Sequence, residues 1–112
     1  MKNIRKKIKI PIYYDELCII GTKDIKKEVS KYKINFNPCV ACVFKIEKKD
    51  GRNIYYAIFE NKSMGVLAHE TVHLVNYIFK DRCISLDLDN DEPQAYLTGW
   101  IFDKIYSVLY DK

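Results

Sequence analysis

Both histidines of this 112-residue chain lie in Ala68-His69-Glu70-Thr71-Val72-His73-Leu74, which spells H-E-x-x-H. On an α-helix, residues i and i+4 project from one face with Cβ atoms about 5–6 Å apart, so two imidazoles can reach one metal ion. Glu70 follows the first histidine and would flank that ion, where a carboxylate can serve as base on a metal-activated water. The bland alternative is a pair of surface or core histidines on an ordinary amphipathic helix. What stands downstream weighs against it: Asn90-Asp91-Glu92-Pro93-Gln94-Ala95-Tyr96 follows, with 18 residues between His73 and Glu92. A catalytic zinc takes three protein ligands and keeps one open position, and two histidines with a glutamate are one known set. A segment of that length lets one helix end, the chain turn, and a second helix bring Glu92 back. Acidic residues also favour the first turn of any helix, so Glu92 draws its weight from following the histidine motif.

On these residues the sequence resembles the gluzincin metallopeptidases, in which H-E-x-x-H is followed by a helix carrying E-x-x-A. The resemblance implies a minimal zincin-like core and one Zn2+ per chain. It makes His69, His73 and Glu92 the metal ligands and Glu70 the general base. The chain also resembles small phage-encoded proteins that carry H-E-x-x-H and an N-D-E-P-x-A-Y segment, described only as peptidases and with no known substrate. A third resemblance, to metalloproteases that cleave immunity repressors, is weakened because no repressor-type DNA-binding segment is attached.

Peptide hydrolysis also needs a partner for the oxyanion. Tyrosine or histidine fills that role in gluzincins, and no third histidine exists here; Tyr96, one turn after Glu92, and Tyr106 are candidates, against the plainer reading of packing aromatics. Thermolysin-like enzymes have an aspartate four residues after the ligand glutamate, where this chain has Tyr96. Asp103, eleven residues after Glu92, is the candidate substitute for orienting a ligand histidine.

The elements that must position these groups can be read from pattern. Isoleucines at 8, 10 and 12 predict a strand over residues 7–14, turned at Asp15-Glu16 into a second strand over residues 17–20. Thr22 precedes a short amphipathic helix burying Ile25 and Val29. Residues 40–47 and 53–60 read as a hairpin turning at Asp50-Gly51. Asn61 or Ser63 caps a motif helix over residues 63–80, and a last helix starts near Asp91 to Pro93 and runs to about Tyr110. Gly65 is expected to leave room beside His69, and Gly99 to let the two helices approach. The order β-β-α-β-β-α-α predicts a single α+β domain, a small, mainly antiparallel sheet carrying the two long helices. By the zincin resemblance, residues 40–47 would border the cleft, with a free edge able to pair with an extended peptide.

Composition sets the surroundings. With 48% hydrophobic and 30% charged residues the chain is a globular domain, not a disordered one. The net charge of +4 includes a cluster at Lys2, Arg5, Lys6, Lys7 and Lys9, read as a solvated basic terminus, frayed over residues 1–6. No nucleic-acid motif accompanies it, and no nucleic-acid partner is expected. No apolar run approaches the ~18 residues of a membrane span, and no secretory h-region is present, so no membrane partner and a cytoplasmic location are expected. For a phage-encoded protein this means the host cell or association with the virion. Cys39-Val40-Ala41-Cys42 forms a C-x-x-C, but at a strand start such residues face opposite sides. The four cysteines, Cys18, Cys39, Cys42 and Cys83, therefore read as small buried hydrophobes.

Two function classes follow. One is a zinc-dependent hydrolase acting on a peptide or protein substrate, with Glu70 as general base. The other is a non-enzymatic phage accessory or structural protein that uses zinc as a staple. Glu70 favours the first, because a structural site has no need of a carboxylate beside its ligands.

Overall fold

A computed structural model describes residues 1–110. It is an α+β domain in the order β1 (Ile4–Ile10), β2 (Asp15–Gly21), α1 (Ile25–Ser30), β3 (Ala41–Glu47), β4 (Asn53–Phe59), α2 (Met64–Asp81) and α3 (Glu92–Tyr110). The four strands form one sheet in the order β1-β2-β4-β3. The β1–β2 and β3–β4 pairs are antiparallel hairpins, and β2 joins β4 in parallel, with Leu17 opposite Tyr55 and Ile19 opposite Ala57.

Strand sequences match their positions. The two central strands, DELCIIG and NIYYAIF, are nearly continuous apolar runs and are buried on both faces. The two edge strands carry lysines at exposed positions, a common guard against edge-to-edge association. One sheet face, with Leu17, Ile19, Tyr55, Ala57 and Phe59, packs on Leu67, Leu74, Ile78, Leu97, Ile101 and Ile105 of α2 and α3. The other face, with Cys18, Ile20, Ile54, Tyr56 and Ile58, packs on Ile25 and Val29 of α1.

Three sequence expectations change. The first turn is made by residues 11–14, not by Asp15-Glu16; Asp15 begins β2 instead. Its carboxylate, 2% exposed, accepts from the backbone N–H of Asn53 at 2.9 Å and pairs with Arg82 Nη2 at 2.6 Å. The basic cluster is solvated but not frayed from residue 4 on, because β1 begins at Ile4, and Arg5 donates to the Tyr32 hydroxyl at 2.8 Å. Gly99 is exposed, and a Cβ there would meet no atom within 4 Å, so it is not needed for close helix approach.

Helix α2 is fixed at both ends. Ser63 is its N-cap, with the hydroxyl accepting from Val66 N–H, and Asn61 Oδ1 accepts from Ser63 N–H at 2.8 Å. At the other end the Tyr55 hydroxyl donates to Asp81 at 2.6 Å, and Lys45 pairs with the same carboxylate at 3.0 Å. The chain then returns as α3. Lys62 Nζ donates to the Leu109 carbonyl, and the Tyr110 hydroxyl donates to the Lys62 carbonyl, so the end of α3 meets the start of α2. No helix among the described residues is long and apolar enough to cross a membrane.

Candidate functional site

The apolar stripe of α2 decides where the motif points. Leu67, Thr71, Leu74, Val75 and Ile78 face the sheet, which carries Glu70 inward and leaves His69, His73 and Tyr77 along one exposed flank. His69 Nε2 and His73 Nε2 stand 3.1 Å apart, with the rings edge to face at 77°. That is hydrogen-bond distance for one imidazole N–H to the other ring nitrogen, and it is close to the about 3.3 Å that would separate two nitrogens bound at 2.0–2.1 Å on a tetrahedral zinc. Tyr77 continues the row, its ring stacked on His73 with centroids 6.3 Å apart.

Glu70 is 7% exposed, and its Oε2 is 3.8 Å from His69 Nε2. Burial pushes its carboxyl above the ordinary range, while His69 and His73 pull in the opposite direction. It is thus a carboxylate in a largely apolar wall, within reach of the mouth of the site, with its charge opposed by desolvation.

The motif opens onto a cleft of about 340 Å³. One wall is His69, Glu70, His73 and Tyr77; the other is the segment from Ile34 to Phe44, which enters and begins β3. β3 pairs only with β4 among the described residues, so its outer edge borders the same cleft. A second hollow continues around His69 and Glu70 past Gly65, where a Cβ would meet nothing within 4 Å. Gly65 borders that hollow, but because a Cβ there would crowd nothing, glycine is not required to keep it open.

Glu92 is not brought to the histidines. It lines a separate apolar groove of about 380 Å³ with Ile12, Tyr13, Pro93, Tyr96 and Trp100. Tyr13 also lies against Phe79, with ring centroids 6.4 Å apart and the rings tilted by 43°, which places this groove beside the far end of α2. From Glu92 to Leu109 helix α3 rises about 25 Å, whereas His69 and His73 lie about 10 and 16 Å from that same Lys62–Leu109 junction. The trio expected from the motif is therefore split in this structure. Among the described residues no group of three or more His, Cys, Asp or Glu side chains is gathered as a metal cage.

The auxiliary residues shift accordingly. Tyr96 is 79% exposed in the Glu92 groove, and Tyr106 stacks on Tyr110 at the opposite end of α3. Asp103 is exposed on α3 and lines neither hollow around the histidines. Tyr77 is the tyrosine at the motif; its spacing of four from His73 was the available signal. The cysteines also need correction. Cys18 is buried and Cys42 half-buried, but Cys39 and Cys83 are exposed. Cys39 precedes β3, and both Cys39 and Cys42 line the cleft opposite His69 and His73. Burial pushes the Cys42 thiol up to about 12, with Cys39 and Glu70 adding to the rise.

Comparison of the chain with family models, with curated proteins and with solved structures gives no match.

Proposed function

We propose that the protein is a small zinc-dependent hydrolase of peptide bonds, with the site on the exposed flank of α2. The observation that carries this reading is the 3.1 Å separation of His69 Nε2 and His73 Nε2 beside the buried Glu70, at the wall of an open cleft. His69 and His73 would hold the ion. When bound there, zinc would supply Lewis acidity and lower the pKa of a coordinated water.

The chain's own groups supply the rest. Glu70 takes a proton from the attacking water at its carboxylate and returns it to the leaving amine. Its poor solvation makes it a better base than an exposed glutamate, because the charged form is less stabilised. Tyr77, its ring stacked on His73, has the hydroxyl on the same flank as the histidines and is 38% exposed; it would donate to a carbonyl oxygen as that gains charge. The outer edge of β3 offers unpaired backbone N–H and C=O groups along the cleft. An extended peptide can dock there by strand addition, which would carry its scissile bond past the histidine pair.

The test is cleavage of a denatured proteome-derived peptide library by zinc-loaded protein. Expected is hydrolysis that a chelator abolishes, that zinc restores, and that Glu70→Gln lacks. Folded, zinc-loaded protein that cleaves nothing, or cleavage unaffected by both the chelator and Glu70→Gln, would overturn the reading.

A further inference from the structure

We infer that the exposed side of α3, with the β1–β2 turn beside it, is an interface between two copies of this chain. The two α3 helices run antiparallel across a twofold axis near Gly99. The inference is independent of the metal reading above.

The apolar side chains that the fold leaves most uncovered gather at this end. Ile12, Leu88, Tyr96 and Tyr14 are the most exposed large hydrophobic residues among the described ones, with Ile12 at 91%. Scattered single cases need no explanation, but apolar residues grouped around a hollow mark a contact surface. Ile12 and Tyr96 border the groove of about 380 Å³ that Tyr13, Leu97 and Trp100 also line. The turn that presents Ile12 is strained. Ile12 and Tyr14 have φ of 59° and 56°, the left-handed region that a β-branched or bulky residue rarely adopts. Strain of this kind collects where a position has a binding role.

Gly99 is an independent sign. It lies in the middle of α3, where glycine is less favourable than alanine, and a Cβ there would meet no atom within 4 Å. Nothing within the chain calls for glycine at this point. It shares an exposed stripe with Glu92, Tyr96 and Asp103, which stand seven and three residues before it and four after it. With exposed Ala95 one turn earlier, it leaves a low stretch over which a second helix can come close.

The charges along this flank say what covers it. At the start of α3 stand Asp89, Asp91 and Glu92. Toward its other end stands Lys104, its Nζ 5.5 Å from the centroid of the Trp100 ring. Lys6 of β1 adds to that half, on the sheet face that Ile4, Ile8 and Ile10 turn toward α3 by alternation. None of these five groups makes an ion pair among the described residues. A surface acidic at one end and basic at the other is complementary to itself when turned about a twofold axis. Antiparallel pairing near Gly99 brings Lys104 within a helical turn of the partner's Glu92. Asp103, the opposing charge on the stripe, then stands beside the partner's Tyr96, whose hydroxyl can donate to it. A parallel arrangement would set like charges together.

Sedimentation equilibrium of the full-length protein over a range of concentrations tests this. Wild type should form a dimer of twice the 13.3 kDa chain mass. Gly99→Gln should remove the dimer while circular dichroism is kept, because Gln is the better helix former and meets open space in the single chain. Glu92→Lys and Lys104→Glu should each raise the dimer dissociation constant about tenfold or more, since the twofold axis repeats every change. The double variant carrying both reversals should regain the wild-type dimer. A wild type that stays monomeric to millimolar concentration would overturn the inference. So would a dimer untouched by Gly99→Gln, or charge reversals that weaken association singly but are not restored together.

Discussion

Replacing Glu70 by Gln separates catalysis from folding, because the same burial that perturbs its carboxyl sets the sign of both effects. Gln has nearly the same shape but cannot take a proton from water, so the general-base contribution, about 10²- to 10⁴-fold in rate, should disappear. That corresponds to about 3–5 kcal/mol of transition-state stabilisation. Stability should move the other way. In the folded metal-free chain desolvation raises the Glu70 pKa, with His69 and His73 opposing the rise, so folding favours the neutral acid relative to the unfolded chain. The stability contributed by that neutral form is fully present below the unfolded value of about 4.3 and is lost as pH rises through the higher folded value. Gln has no such loss. As pH rises above about 4.3, the urea midpoint of metal-free wild type should therefore fall relative to that of Glu70→Gln. Single-turnover peptide cleavage with matched zinc content, beside urea unfolding of the metal-free proteins, measures both sides. A variant that keeps full chelator-sensitive activity would refute the base assignment. A variant whose stability falls below wild type as pH rises would refute the claim that desolvation governs this carboxyl.

Replacing both His69 and His73 by Ala should remove the bound zinc by elemental analysis, with circular dichroism unchanged because both side chains are exposed. Tyr77→Phe should lower the turnover rate by up to about 10²-fold with zinc content intact, as expected for one lost oxyanion donor. Tyr96→Phe should leave activity unchanged, since Tyr96 faces the Glu92 groove. Asp15→Ala should destabilise the whole domain, because it removes a buried carboxylate that joins the starts of β2 and β4 to the end of α2. Arg82, one-third exposed, can turn to water, which sets the loss near about 3 kcal/mol and the fall in melting temperature near about 10–15 °C.

The element order was legible because periodicity and turn chemistry agreed over most of the chain. The middle hairpin differs from expectation only at its ends, and Ser63 caps α2 as one of the two residues expected to do so. The first turn was misread through composition. Asp15-Glu16 has turn character, but Asp15 is bound by Arg82, sixty-seven residues away, a tertiary pairing that local propensity cannot register. The lysine-rich start looked frayed for a similar reason. Its alternating isoleucines gain their value only once α3 covers that face of the sheet.

At the site, what was legible was whatever a single helix determines. The spacing of His69, His73 and Tyr77 fixes their common flank whatever else the chain does, and the leucine stripe fixes Glu70 on the inward side. What was not legible depended on pairing between helices. A glutamate eighteen residues on can return to the motif only if α3 starts beside the middle of α2. Here the end of α3 is anchored at Lys62, so its nineteen-residue length carries Glu92 past the histidines to the β1–β2 turn. The cysteines were discounted by strand alternation, but Cys39 lies just outside the strand, where alternation does not apply. Cys39 stands two residues before Ala41, so the entry into β3 leaves this thiol exposed at the cleft while Cys42 is half-buried in the strand.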